Sequence, residues 1–149
     1  SLPVALIKDL AKDDCQLGDE INNSDSWFIS RSPRASVAFS CKQTELLTQI
    51  IQEEIAFLDT KAQYSDGSMA VLWRIAGNPN LKATHIQMIY EFASRNLLKC
   101  ADEVFKYDLK SLLEGGAYVD SPLLGNNSFK LEESSKFDSL LKEIEKVSK

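Results

Sequence analysis

The sequence predicts a mainly α fold: five to six helices and one small β-hairpin, in a single domain over residues 1–149. Three observations predict it. Leu81 to Glu114 contains neither Gly nor Pro, lying between Asn78-Pro79 and Gly115-Gly116, so nothing in it forces the backbone out of a helix. Lys42 to Gln63 repeats apolar residues at three- and four-residue steps, the period of a helix with one buried face. Strand-like alternation is confined to a short stretch around Gly125-Asn126-Asn127.

The elements follow in order. Pro3 to about Cys15 predicts a helix, with proline in its first turn and Leu6, Ile7, Leu10 and Ala11 on one face. Asn22 to Ser26 ends it. Trp27 to Ser40 places two apolar islands, Trp27-Phe28-Ile29 and Val37-Ala38-Phe39, around a polar Ser-Arg-Ser-Pro-Arg centre. A loop this long is functional or mobile, so residues 1–40 read as one helix plus a long loop. Its Arg31–Ser36 centre is a weak candidate for phosphorylation.

Residues 42–114 read as the helical core. In Lys42–Gln63, Leu46, Leu47, Ile50, Ile51, Ile55, Leu58 and Ala62 form the buried face, with Ser40 as N-cap. Ser68 to Ala76 reads as a short helix capped by Ser68 and stopped by Gly77. On a helical wheel of about 100° per residue, Ile86, Ile89, Tyr90 and Ala93 cluster together. Ala101, Phe105, Leu109 and Leu112 cluster roughly 90° away. One straight helix keeps one phase, so the pattern predicts two helices, about Lys82–Ala93 and Leu97–Glu114, with a turn or kink at Ser94-Arg95-Asn96; one long bent helix is the alternative. Residues 117–131 read as the hairpin, with Pro122 restricting one strand to an edge. Residues 135–149 read as the C-terminal helix, with Phe137, Leu140, Leu141, Ile144 and Val147 on its apolar face and Ser135 and Asp138 as a capping box.

Composition excludes several function classes. No apolar run reaches the roughly 18 residues of a membrane span, and the N-terminus lacks the basic start and long apolar stretch of a signal peptide. The net charge is −5. It belongs to Ser1–Gly67, where six Lys and Arg stand against eleven Asp and Glu; a nucleic-acid binder usually carries a basic domain instead. The three cysteines, Cys15, Cys41 and Cys100, are widely spaced and odd in number. They read as buried or half-buried thiols in a reducing compartment, and the chain as intracellular, cytoplasmic or nuclear.

The sequence carries no phosphate-binding, dinucleotide, zinc-protease or serine-hydrolase motif. One histidine leaves no metal cluster, and neither a metal nor a cofactor is expected. Cys100 lies fifteen residues after His85, but spacing alone does not make a dyad, and His85 reads as a packing residue. Glu53 and Glu54 point about 100° apart on a helix and read as solvated. Arg95, Lys99, Lys106 and Lys110 fall within about 60° of one another on a continuous wheel, a basic stripe interrupted by Asp102. The bland reading of that stripe is a wet surface laced with pairs at three- and four-residue spacing.

The order of the C-terminal elements is that of a winged helix-turn-helix. Val71-Leu72-Trp73-Arg74-Ile75-Ala76-Gly77-Asn78-Pro79-Asn80-Leu81 resembles the helix and turn that open this domain in MarR-type regulators. Leu112-Leu113-Glu114-Gly115-Gly116-Ala117-Tyr118-Val119 resembles their recognition-helix end and first wing strand. The likeness is one of pattern and spans Ser68–Lys149. It implies that Lys99, Lys106 and Lys110 lie on a groove-entering helix. The wing, however, has no Arg or Lys from Ser121 to Phe129, where phosphate contact needs them. The leading expectation is therefore a non-enzymatic protein–protein interaction module, an adaptor or scaffold, with Trp27, Phe28 and Phe39 as partner-binding anchors or as a lid on the protein's own core. The alternative is a winged helix-turn-helix DNA-binding regulator that uses Arg95, Lys99, Lys106 and Lys110. A small enzyme built on Cys100 or His85 comes third.

Overall fold

The computed structural model describes residues 41–60, 63–65, 67–114, 123, 126 and 131–148. Over these the chain is mainly helical: α1 (Thr44–Thr60), α2 (Ala70–Ala76), α3 (Ala83–Arg95), a 3₁₀ helix (Leu97–Ala101), α4 (Glu103–Glu114) and α5 (Leu131–Lys146). The expected N-terminal helix and the Trp27–Ser40 loop lie outside the described residues.

The apolar periodicity of α1 does what its spacing dictates. Leu46, Leu47, Ile50, Ile51 and Leu58 are buried, and Ile55 packs partly against the core. α1 lies against α3 and α2, α2 against α4, and α4 against the 3₁₀ helix and α5. One apolar cluster runs through all of them, with Phe92, Phe105 and Phe137 among its largest fully buried side chains. Each such ring contributes on the order of 1.5–3 kcal/mol by leaving water. Trp73, in the middle of α2, is buried but donates its Nε1–H to the Asp108 carbonyl at 3.3 Å, so its polar edge is satisfied where α2 meets α4.

The phase break between Leu81 and Glu114 is real. α3 ends at Arg95, and Asn96 stands between it and the 3₁₀ helix. The expected Leu97–Glu114 helix is itself divided, because Asp102 takes an extended conformation (φ −80°, ψ 120°). Its Oδ1 accepts the Val104 and Phe105 N–H groups at 2.9 and 3.2 Å, which caps the start of α4. Asp102 therefore serves as a helix cap, where the sequence suggested a surface partner for Lys99 and Lys106.

Other boundaries also move. α1 begins at Thr44, too far along for Ser40 to cap it. α2 begins at Ala70, after a turn in which Gly67 takes φ 85°, a conformation that costs glycine little. Met69, not Ser68, is its N-cap residue, and it makes no side-chain capping bond. α5 begins at Leu131, so Leu131 is helical, not part of a strand. Ser135 is consequently inside that helix, where its carbonyl accepts the Ser139 hydroxyl at 3.3 Å, and no capping box starts there. The rest of the expected hairpin lies outside the described residues, apart from Leu123, which is buried, and Asn126. No strand occurs among the described residues.

The thiol expectation is corrected at one position. Cys41 is disulfide-bonded, while Cys100 is a free, buried thiol. An odd cysteine count argues against a full framework of bridges, but it leaves room for a single one. No helix among the described residues is long and apolar enough to cross a membrane.

Candidate functional site

Among the described residues, the corner between α3 and α4 is the most distinctive surface. In a five-residue 3₁₀ helix side chains align every third position, so successive residues point to faces about 120° apart. Cys100 points inward and is buried, whereas Leu98 is 85% exposed. Leu98 stands on the rim of a recess of about 500 Å³ whose walls include Leu58, Tyr64, Lys99, Asp102 and Phe105. Tyr64 meets Phe105 edge-on at 5.0 Å between ring centroids. Its hydroxyl donates to Asp108 Oδ2 at 2.5 Å, which fixes the aromatic wall. Val104, 45% exposed, continues the apolar surface onto the first turn of α4.

The four basic residues of the expected stripe are distributed over three elements. Arg95, at the end of α3, pairs with Asp59 at 2.7 Å. Lys99, on the 3₁₀ helix, reaches the Leu58 carbonyl at 3.5 Å. Lys106, on α4, donates to the Glu145 and Val147 carbonyls at 3.3 and 2.9 Å. Lys110 pairs with Glu145; that bond holds the Lys110 ammonium above its ordinary range, against a smaller opposing effect of burial. Each cation therefore neutralises a carboxylate or the carbonyl end of a helix inside the domain. Asp59 also accepts from Asn96 at 3.1 Å. Burial alone pushes its carboxyl up, but the Arg95 and Asn96 hydrogen bonds with the Arg95 and Lys99 charges hold it below its usual range.

The two candidate chemical groups are both committed to structure. Burial pushes the Cys100 thiol up to about 11, and the nearby Lys106 charge offsets only part of that rise. A thiol in that state is protonated at neutral pH and a poor nucleophile. His85 is fully buried, with both ring nitrogens hydrogen-bonded to the main chain of Lys82 and Thr44. Among the described residues no three His, Cys, Asp or Glu side chains gather as a metal site would require. Trp27, Phe28 and Phe39 lie outside the described residues.

Sequence reasoning missed Leu98 and Val104. On the wheel Leu98 falls within the cluster of Ala101, Phe105, Leu109 and Leu112, so the spacing assigns it to the core and gives no sign of its exposure. The chain matches no known protein family, no curated protein and no solved structure.

Proposed function

We propose that the domain is a non-enzymatic docking module that receives a partner protein at the α3–α4 corner. The observation that carries this reading is Leu98, 85% exposed on the rim of a recess with an aromatic wall. A large apolar side chain held in water, with half-exposed Val104 near it and a recess of mixed polar and apolar lining beside it, supports a contact surface. The committed states of Cys100 and His85 favour a binding role over catalysis. The internal bonding of Arg95, Lys99, Lys106 and Lys110 favours a protein partner over duplex DNA, since phosphate contact would have to compete with those bonds. Trp27, Phe28 and Phe39 remain the candidate anchors of the N-terminal segment. The bridged Cys41 favours an oxidising compartment, in place of the intracellular setting that the cysteine count suggested.

The test is site-specific photo-crosslinking from position 98, paired with Leu98→Glu. The partner crosslinked at position 98 should bind the wild type and lose at least tenfold in affinity for Leu98→Glu, while the melting temperature stays unchanged. Equal affinity for both proteins would remove the corner as the docking site.

A further inference from the structure

His85 is the only histidine in the chain, and it is fully buried in the first turn of α3. Its Nδ1 accepts the Lys82 main-chain N–H at 3.0 Å, so Nδ1 carries no proton. The single ring proton is therefore on Nε2, which lies 3.1 Å from the Thr44 carbonyl and 3.1 Å from Thr48 Oγ1. The Thr48 hydroxyl donates to the same carbonyl at 2.9 Å, leaving its oxygen free to accept from Nε2. This network is satisfied only by a neutral imidazole in one tautomer, and it fastens the first turn of α1 to the first turn of α3.

A second proton has nowhere favourable to sit. On Nδ1 it would face the Lys82 N–H, donor against donor. It would also place a charge at the N-terminus of α3, the positive end of the helix dipole, with no water to solvate it. The charged side chains at the two helix starts packed here are Lys82 before α3, Lys42 before α1 and Glu45 in its first turn, all three exposed. No carboxylate among the described residues bonds to the ring. Burial and the Lys82 charge hold the imidazole below its ordinary range, with the Thr44 carbonyl opposing between them in size.

We propose that His85 is an acid-sensitive latch: its protonation loosens the contact between the starts of α1 and α3 before the α4–α5 half of the domain unfolds. The sign follows from linkage. The closed form takes up its proton at lower pH than the open form, so opening is coupled to proton uptake. The latch is fully closed above the ordinary imidazole value of about 6.5 and weakens as pH falls from there toward the closed-state value. The segment it releases begins beside the bridged Cys41 and is the one that α3 covers.

The lone histidine makes the test unambiguous. Nitrogen-15 NMR of the intact chain should show His85 as the neutral Nε2–H tautomer at neutral pH, taking up its second proton only below the ordinary imidazole value of about 6.5. Amide hydrogen exchange should show the Thr48 and Ile86 amides losing protection up to tenfold per pH unit below about 6.5, beyond the intrinsic pH effect. The Leu109 and Leu112 amides of α4 should keep theirs. His85→Gln should flatten the Thr48 and Ile86 response, and the wild-type readings decide the matter even if that variant does not fold. An imidazole that titrates at 6.5 or above in the folded chain would overturn the proposal. So would simultaneous loss of protection in α1, α3 and α4.

Discussion

The side-chain amide of Asn78 donates to the main-chain carbonyl of Cys41 at 3.0 Å, joining the α2–α3 turn to the residues that lead into α1. Asn78 is fully buried, and its Oδ1 accepts the Asn80 N–H at 2.8 Å. Its own carbonyl receives the Asn126 side chain at 2.8 Å, while Asn126 also donates to the last carbonyl of α2, that of Ala76, at 2.9 Å. One asparagine thus connects three distant parts of the chain.

Asn78→Ala should destabilise the fold by about 1–3 kcal/mol, the cost of stranding buried main-chain groups. Asn78→Asp should cost more, because a carboxylate oxygen would replace the amide donor opposite the Cys41 carbonyl. Urea unfolding of the two variants checks both the size and the order.

The thiols give a counting experiment. With three cysteines in the chain and Cys41 bridged, the native protein should show no rapid reaction with a thiol reagent at neutral pH. One thiol should appear on denaturation and three after reduction. A fast-reacting thiol in the native state would contradict the buried, protonated Cys100.

Asp59 supplies an acid-side test. Its carboxyl is held below the unfolded value, so the stability it contributes is complete above about pH 4. That contribution is lost as pH falls through the lower folded value. The pair is largely exposed, with side-chain exposures of 50% for Arg95 and 32% for Asp59, so the effect is small, under about 1 kcal/mol. Asp59→Asn should lower stability by that amount at pH 7 in urea titrations, and the difference from the wild type should shrink as pH falls below about 4.

Lys106 separates structural from nucleic-acid roles. Lys106→Met should fray the last turn of α5 and cost about 0.3–1 kcal/mol, the usual worth of a cation at a helix C-terminus. Hydrogen exchange at the α5 C-terminus reads the fraying. Neither protein should bind duplex DNA at low salt; tight wild-type binding that falls steeply with salt would restore the regulator reading.

Much of the helical layout was legible in the sequence, because it follows from apolar spacing. Leu46, Leu47, Ile50 and Ile51 on α1, and Phe137, Leu140 and Ile144 on α5, are buried as their periodicity requires. Even the break after α3 showed as a change of phase. The capping residues were less legible. Asp102 is one of many polar residues in its neighbourhood, and only the extended backbone there makes it a cap. The candidate site was hardest to read: a wheel drawn at α-helical pitch places Leu98 among Phe105, Leu109 and Leu112, and only the 3₁₀ turn and the extended backbone at Asp102 take it off that buried face. Nor does sequence spacing reveal that the lysines of an apparently continuous stripe answer to different acceptors.

α5 touches both sides of the α3–α4 corner. Near its beginning, Lys136 reaches Gln87 on α3 at 2.5 Å and lies 4.2 Å over the Tyr90 ring, which Phe137 meets edge-on. At its far end, Lys106 and Lys110 of α4 grip the Glu145 and Val147 positions. α5 therefore bridges the first half of α3 and the first two turns of α4, so the bend that carries Leu98 is held by contacts outside its own five residues.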